Sequence, residues 1–308
     1  MNIKIICHLM PWEMDYALLA FSQLKKSHYY LSDEDNITIE TCLNLSSYII
    51  NWEKSKLPKE FFIEKYNQIS LLLEKYNHIK KIYEGDELYG HLNLQRECIS
   101  SEVDYYMSVC PDMLFSEHLL YYLIESAKEI KNEYFVLTPQ ISKVGDSAWD
   151  EITDPKFVDI SYNDYLKVDT FDVWYSNKHS SEEIKLYPTK KSKWAGWFDL
   201  YSKKFYEELC PFQENWKGYG PWDWYSMIIT ENVKPLGVDF QQYLLRGETI
   251  WMYPSGPLAT SEVDGFNKYY KDFLVLNNIP NQRHHFESNM RSYIETHLNT
   301  LKSKNIIT

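Results

Sequence analysis

The apolar positions of the first 140 residues follow two periods that alternate along the chain. Residues 2–9 form a short apolar run, and residues 37–45 alternate apolar and polar side chains with the period of a half-buried strand. Between these segments, apolar side chains recur at the spacing of one helical face, at Met14, Ala17, Leu18, Phe21 and Leu24. The pattern therefore predicts a strand, a helix and a second strand.

The same alternation continues to residue 138. It predicts helices over 59–76, 88–101 and 115–131, and strands over 79–83, 104–109 and 134–138. Strands that alternate with helices in this way form an open, mostly parallel α/β sheet flanked by helices. Ligands of such sheets bind at the carboxyl ends of the strands, so we expect the functional residues there.

The second half of the chain differs in composition. Six of the ten glycines lie between residues 196 and 256, and six tryptophans lie between residues 194 and 251. Flexible backbone beside flat rings is typical of a binding surface, although a coding bias toward Tyr, Asn, Lys and Ile explains the aromatic excess equally well. We divide the chain into residues 1–140, residues 141–260 of the same domain, and a polar, helical extension over 261–308.

Length and charge exclude several classes of protein. The 308 residues carry a net charge of −12, which argues against broad binding to a nucleic-acid backbone but leaves a local basic groove open. No stretch approaches the ~18 consecutive apolar residues of a membrane span, and we expect a cytoplasmic protein. The five cysteines have no Cys-x-x-Cys spacing, so neither a zinc knuckle nor a disulfide framework follows.

Two acidic residues are candidates for chemistry. The strand predicted over 104–109 runs directly into Cys110, Pro111 and Asp112, and an acid at the carboxyl end of a central strand can hold a divalent cation. Asp223 lies between two indoles, where burial would raise its pKa toward that of a general base. The alternatives are that Asp112 only caps a turn or helix, and that the segment around Asp223 is aromatic core with a tight turn.

The order of these segments resembles that of the GT-A-fold glycosyltransferases, which use nucleotide-sugar donors. In that family a first strand opens the nucleotide pocket, a helix with Asn or Arg follows, and a later strand ends in an Asp-x-Asp metal motif. Residues 3–10, 90–96 and 110–112 occupy these places, and residues 218–223 are similar to a Gly-Trp-Gly-x-Glu-Asp acceptor and catalytic motif. The resemblance covers residues 1–256 and implies a GT-A-like fold, with a nucleotide-sugar half followed by an acceptor half.

The resemblance also implies site residues. Nucleotide contacts would come from His8, Pro11, Trp12, Asn93, Arg96 and Asp112. Contacts to the donor sugar and the acceptor would come from Trp194, Gly196, Trp197, Gly218, Tyr219, Gly220 and Trp222. Asp112 would hold a divalent cation, Mn²⁺ or Mg²⁺, and Asp223 would be the general base of an inverting transfer.

Two positions depart from the family pattern. Cys110 replaces the first acid of Asp-x-Asp, which weakens the prediction of a strong metal site. Trp222 replaces the glutamate that precedes Asp223, which leaves Asp223 as the only acid of that motif.

The hypothesis that follows is a glycosyltransferase that moves a sugar from a nucleotide-sugar donor to the hydroxyl of a carbohydrate or other acceptor. Two alternatives remain open: a catalytically silent carbohydrate-binding protein on the same fold, which Cys110 favours, and a transferase that glycosylates modified DNA bases. A nucleotidyltransferase is disfavoured because no glycine-rich basic loop follows the first strand.

Overall fold

The computed structural model describes residues 1–51, 57–143, 184–194, 198–218, 220–252 and 268–307. In chain order the strands are β1 (Asn2–Leu9), β2 (Asn36–Asn44), β3 (Asn77–Tyr83), β4 (Tyr105–Val109), β5 (Met113–Leu114), β6 (Tyr134–Lys143), β7 (Lys185–Pro188), β8 (Phe198–Ser202) and β9 (Phe240–Met252). The helices are α1 (Met14–Ser27), α2 (Ser47–Ile50), α3 (Lys59–Leu72), α4 (His91–Glu97), α5 (Leu119–Glu129), α6 (Trp222–Val233), α7 (268–276) and α8 (Gln282–Ser303).

Within the described residues, all nine strands belong to one open sheet. Its order is β3-β2-β1-β4-β8-β6-β9-β5, and β7 also pairs with β9. The first four strands are parallel, β8 is antiparallel to both of its neighbours, and β6 and β9 are parallel again. The short strands β5 and β7 run antiparallel to β9. The predicted fold class, an open, mostly parallel α/β sheet flanked by helices, is confirmed.

Successive side chains along each strand point to opposite faces of the sheet, and each face packs into its own hydrophobic core. In β1, Ile3 and Ile5 face a layer formed by α1, α3 and α5, whereas Ile6 faces a layer formed by α4, α6 and α8. The central strands are therefore buried on both faces, which explains their nearly continuous apolar sequence. Each fully buried aliphatic side chain contributes roughly 1.5–3 kcal/mol relative to an exposed one.

The observed elements follow the predicted ones with shifted ends. The helix predicted over 88–101 is limited to His91–Glu97, because Gly90 has extended backbone and the helix ends in a turn at Cys98. The strand predicted over 134–138 extends to Lys143 along β9. Residue 140 lies inside β6, so the sheet continues across the boundary proposed there.

Two helices follow residue 267 in the described part of the chain. Asn281 caps α8, since its side chain accepts a hydrogen bond from the His284 amide at 3.1 Å. Among the described helices, none combines the length and the apolar character needed to cross a membrane.

Candidate functional site

Two acidic side chains meet beyond the carboxyl ends of β1 and β4. These strands are parallel neighbours, with Ile6 opposite Ser108, so the segments that leave them emerge side by side. A 3₁₀ turn over Pro11–Glu13 follows β1, and a turn that contains Asp112 follows β4. The parallel pairing therefore brings Glu13 and Asp112 together at the edge where open α/β sheets bind ligands.

The carboxyl groups of Glu13 and Asp112 share a poorly hydrated site. Burial raises the pKa of Asp112 to about 6. Burial and the charge of Asp112 raise the pKa of Glu13 to about 8, although the Met10 amide, which donates to Glu13 Oε2 at 2.9 Å, opposes the shift. Asp112 ionises first, and its charge then keeps the proton on Glu13.

The Cys110 thiol is a common neighbour of three acids. Burial raises the pKa of this thiol well above its usual range, and the charges of Asp112, Glu13 and Asp223 raise it further. Cys110 is therefore a neutral thiol at physiological pH. Asp223, in the first turn of α6, thus lies at the same edge as Asp112, although the two belong to distant parts of the sequence.

Asp223 also acts electrostatically on two buried tyrosines. Its charge contributes to the raised pKa of Tyr201 and of Tyr206, in both cases after burial, which is the largest cause. Tyr201 donates a hydrogen bond to Asp199 Oδ2 at 3.3 Å, and Asp199 is fully buried in β8. The candidate base Asp223 is half-buried, and it and the fully buried Asp199 both raise the pKa of Tyr201.

The acidic pair fits a divalent cation only in part. Within the described ranges, no group of three or more His, Cys, Asp or Glu side chains is arranged to hold a metal ion. Two carboxylates are nevertheless the donor set with which Mg²⁺ is commonly held when phosphate oxygens and water supply the remaining ligands. Glu13 and Asp112 fit a cation that arrives with a diphosphate, and the neutral Cys110 thiol is a poor ligand for a hard cation.

A buried polar network lies on the β2 side of this edge. Asn44 Nδ2 lies 3.2 Å from His8 Nε2 and donates to the Tyr89 carbonyl at 2.9 Å. Burial lowers the pKa of His8 to about 3, with a further contribution from His91, and burial lowers the pKa of His91 to about 4. The predicted nucleotide residue His8 is therefore a neutral imidazole at the carboxyl end of β1.

Helix α4 holds the segment that resembles the acceptor motif. Asn93 Oδ1 accepts hydrogen bonds from the Gly218 amide at 2.6 Å and from the Gly90 amide at 3.2 Å. The Leu92 amide donates to the Gly218 carbonyl at 3.3 Å, and Gly218 has a positive φ of 63°. We call residues 218–223 the glycine turn; the structure describes all of it except residue 219.

Arg96 binds backbone carbonyls of the loop before the glycine turn. Its Nη1 atom donates to the carbonyl oxygens of Gln213, Glu214 and Trp216 at 3.0–3.1 Å. These bonds commit one end of the guanidinium to the loop rather than to a phosphate. These hydrogen bonds give Arg96 a structural role, and a contact from Arg96 to a nucleotide stays a prediction.

Two of the predicted sugar-binding tryptophans lie in the core. Trp194 and Trp222 are each 1% exposed. The Trp222 indole donates to the Cys210 carbonyl at 2.8 Å and stacks on Phe212 at 4.5 Å, so packing occupies both its polar atom and one ring face. The structure corrects the expectation of exposed stacking surfaces at these two positions, because their rings offer almost no area to a ligand.

The remaining predicted residues divide into two groups. Pro11 is buried in the turn after β1, and Gly220 lies between α4 and α8, where an added Cβ would come within 2.6 Å of Leu92. Gly196, Trp197, Tyr219 and the Trp12 side chain lie outside the described residues.

Sequence reasoning missed Glu13 and His91. The available signal for Glu13 was its position three residues after Met10, the spacing at which an acidic side chain caps the preceding amide. His91 opens α4 immediately after Gly90, but nothing in the local pattern indicated its proximity to His8.

No family model and no curated protein matches the sequence. Among solved structures, the chain is similar to S. aureus TarS at 11% identity with a TM-score of 0.47, covering 83% of this chain and 37% of that one. It is similar to GalNAc-T7 with UDP, GalNAc and Mn²⁺ at 11% identity and a TM-score of 0.44, covering 82% and 44%. For TarS 1–349 in complex with UDP-GlcNAc the identity is 14% and the TM-score 0.31, with 48% and 36% covered.

All three TM-scores lie below 0.5, and this chain spans less than half the length of each of these proteins. The likeness is a partial one of overall fold, and no residue role passes from these proteins to this chain. The function therefore has to be argued from the acids at the carboxyl edge of the sheet.

Proposed function

We propose that this chain is a glycosyltransferase that moves a sugar from a nucleotide-sugar donor to an acceptor hydroxyl. The observation that carries the proposal is that Asp112 and Asp223, from distant parts of the sequence, both act electrostatically on the Cys110 thiol at the end of β4 in an open α/β sheet. Asp112 follows a central strand, where a carboxylate can hold the cation that accompanies a diphosphate, and Asp223 ends the glycine turn in the first turn of α6. An inverting sugar transfer uses both a site for the leaving diphosphate and a base for the acceptor.

In the proposed reaction the acceptor oxygen attacks the anomeric carbon from the side opposite the nucleotide. The new glycosidic C–O bond forms as the bond from the anomeric carbon to the phosphate oxygen breaks, and the nucleoside diphosphate leaves with the electron pair. Asp223 accepts the proton of the acceptor hydroxyl. A single displacement of this kind inverts the anomeric configuration.

Glu13 and Asp112 would hold a divalent cation, Mn²⁺ or Mg²⁺, together with the donor. When bound, such an ion neutralises the charge of the departing diphosphate. The residues of the chain orient the reactants in this proposal: Asp112 lies on the donor side, and the glycine turn presents Asp223 on the acceptor side.

A catalytically silent carbohydrate-binding protein is the second candidate. The neutral Cys110 thiol, which stands where the resemblance implies an acid, favours it because one metal ligand is lost. The two candidates differ in turnover, since a binding protein releases no nucleoside diphosphate.

The test is donor consumption. UDP sugars are the first donors to assay, with Mn²⁺ and with monosaccharide acceptors, and nucleoside diphosphate release and product anomer are the readouts. Asp223→Asn keeps the size of the side chain but cannot accept the proton, so transfer should fall by about 10²–10⁴-fold while donor affinity is retained. Asp33→Asn, in an exposed turn before β2, is the matched control and should leave transfer unchanged. Transfer by Asp223→Asn within a few-fold of the parent would remove the catalytic role of Asp223.

A further inference from the structure

The glycine turn is held from a second side by the C-terminal helix. The Lys217 amide donates to Gln282 Oε1 at 2.8 Å, and Gln282 Nε2 donates to the Lys217 carbonyl at 2.9 Å. A side-chain amide that binds both polar groups of one residue fixes that residue in position and in orientation. Lys217 immediately precedes Gly218, so this pair of hydrogen bonds acts at the residue just before the glycine turn.

The two supports lie on different sides of the turn. On one side, α4 provides Asn93, whose side chain binds the Gly218 amide, and Leu92, whose amide binds the Gly218 carbonyl. A Cβ added to Gly220 would lie 2.6 Å from Leu92 Cδ1 and 3.5 Å from Gln282 Oε1. Gly220 therefore lies between α4 and α8, and a larger residue would push them apart.

The start of α8 is secured without Gln282. Asn281 caps the helix, and the fully buried ring of Phe286 packs against Trp224 at 5.4 Å and Trp216 at 5.8 Å. Trp224 adjoins Asp223 in α6. A variant that lacks only the Gln282 amide should therefore keep α8 docked, which separates the hydrogen bonds of this side chain from the folding of the helix.

We infer that Gln282 is a positioning residue, which sets the location of Asp223 through the peptide of Lys217 and the glycine turn. The inference rests on the proposed function and assigns a part in transfer to the extension over 261–308. Misplacement of a reacting group by about 1 Å can cost ~10²-fold in rate, so loss of this pair should act on turnover more than on donor binding.

The experiment uses two variants and one control in the full chain. Gln282→Met keeps the length of the side chain and removes both hydrogen bonds, whereas Gln282→Glu keeps an acceptor for the Lys217 amide and loses the donor. Arg291→Met is the control, because Arg291 lies on the exposed face of the same helix in a surface pair with Glu295. The readouts are amide hydrogen exchange at Lys217, kcat and KM for acceptor, and the dissociation constant for the nucleoside diphosphate.

Gln282→Met should accelerate exchange at the Lys217 amide and lower kcat by tenfold or more, with nucleoside diphosphate affinity within twofold of the parent. Gln282→Glu should retain the protection of the Lys217 amide. Its kcat should lie between that of the parent and that of Gln282→Met. The control should match the parent in every readout. Should Gln282→Met be poorly folded, Gln282→Glu alone still tests the inference through its kcat.

Two results would overturn the inference: unchanged exchange at Lys217 in Gln282→Met, or faster exchange with an unchanged kcat. Failure of the proposed function has a different signature, since the parent protein would then release no nucleoside diphosphate from any donor. In that case faster exchange in Gln282→Met would still show that Gln282 fixes the Lys217 backbone. The proposed effect of Gln282 on kcat would be withdrawn.

Discussion

Asn93 and Gly218 are joined by a 2.6 Å hydrogen bond between the side-chain Oδ1 atom and the backbone amide. The same oxygen accepts the Gly90 amide, so one buried side chain ties the start of α4 to the glycine turn. Asn93 is only 9% exposed, and the polar groups it binds would lose their partner if it were truncated. This residue therefore has a structural task beside the nucleotide contact that the sequence predicts.

Asn93→Ala should lower the free energy of unfolding by about 1–3 kcal/mol, because two amides lose a buried acceptor. Urea denaturation measures the loss, and Asn232→Ala, on the exposed face of α6, should change it little. If Asn93→Ala instead kept its stability and lost only nucleotide affinity, direct contact with the ligand would be the main role of this side chain.

Gly90→Ala tests the closeness of α4 and the glycine turn by adding a single methyl group. The backbone of Gly90 is extended with a φ of −161°, so alanine fits its conformation, but a Cβ would come within 2.7 Å of backbone atoms of Gly218. We expect a loss of roughly 1–3 kcal/mol in unfolding free energy from overpacking, with reduced transfer.

Gly237→Ala is the comparison for Gly90→Ala. Gly237 has a φ of 84° with nothing within 4 Å of an added Cβ, so its cost comes from backbone strain alone, roughly 1–2 kcal/mol, and transfer should be retained. Equal transfer activity in the two alanine variants would contradict the close contact between Gly90 and Gly218.

Trp222→Ala should destabilise the protein rather than impair sugar binding selectively. The indole is 1% exposed and hydrogen-bonded to the Cys210 carbonyl, so its removal leaves a large cavity in the α4, α6 and α8 layer. The expected loss is about 3–5 kcal/mol, and Trp222→Phe should lose less because it refills part of the space. Thermal unfolding measures both. A Trp222→Ala protein with parental stability but poor acceptor use would restore the binding role predicted from the sequence.

The pH dependence of stability should report on Glu40, a buried acid in β2. Burial alone would raise its pKa, but hydrogen bonds from Lys81 and the Cys98 thiol, with the charges of Lys81 and Lys4, outweigh burial and lower the pKa below 4.5. Because the folded pKa is depressed, the contribution to stability is fully present above the unfolded pKa and is lost as pH falls through the folded value.

Glu40→Gln should therefore be less stable than the parent by about 1–3 kcal/mol at neutral pH, and the difference should shrink as the pH falls below about 5. Denaturant titrations at a series of pH values measure it, with Glu64→Gln on the exposed face of α3 as the control. A difference that grows toward acid pH would contradict the assigned direction of the shift.

Local periodicity was sufficient to predict β1, β2, β3, β4 and β6 with the helices between them, but not β5, β7, β8 or β9. The strand β1 and the helix α1 are each continuous segments, so the spacing of their own apolar residues is enough to predict them. The start of α4 lies at Gly90, which has extended backbone and packs closely against Gly218, and no sequence pattern contains that contact. The extent of β6 likewise depends on pairing with β9.

The candidate site was predicted only in part, for physical reasons. Asp112 and Asp223 could be singled out because each follows a recognisable segment. Glu13 could not, because its raised pKa arises from burial and from the charge of Asp112, which follows a strand distant in sequence that pairs in parallel with β1. Trp222 was assigned to a binding surface because a dense run of glycine and tryptophan does not distinguish a ligand pocket from an aromatic core.

The acidic pair Glu13 and Asp112 predicts that stabilisation by a nucleoside diphosphate depends on a divalent cation. In the parent, a nucleoside diphosphate at ~100 times its dissociation constant should stabilise the fold by about 2.7 kcal/mol, and this gain should depend on Mn²⁺ or Mg²⁺. Asp112→Ala should abolish the metal-dependent part, and Glu13→Gln should reduce it, while Asp33→Asn should leave it intact. Thermal shift with and without chelator measures each.

Cys110→Asp sharpens the test by returning the acid that the resemblance implies. The thiol it replaces is half-buried and feels the charges of Glu13, Asp112 and Asp223, so a new carboxyl group there meets desolvation and like charge. In chelator the variant should therefore unfold at a lower temperature than the parent. With Mn²⁺ and a nucleoside diphosphate it should gain more than the parent, because a third carboxylate adds a ligand of the kind that hard cations prefer. If Cys110→Asp is destabilised equally with and without metal, and Asp112→Ala keeps the metal-dependent gain, then no cation is held by this edge of the sheet, and Asp112 serves the donor in another way or not at all.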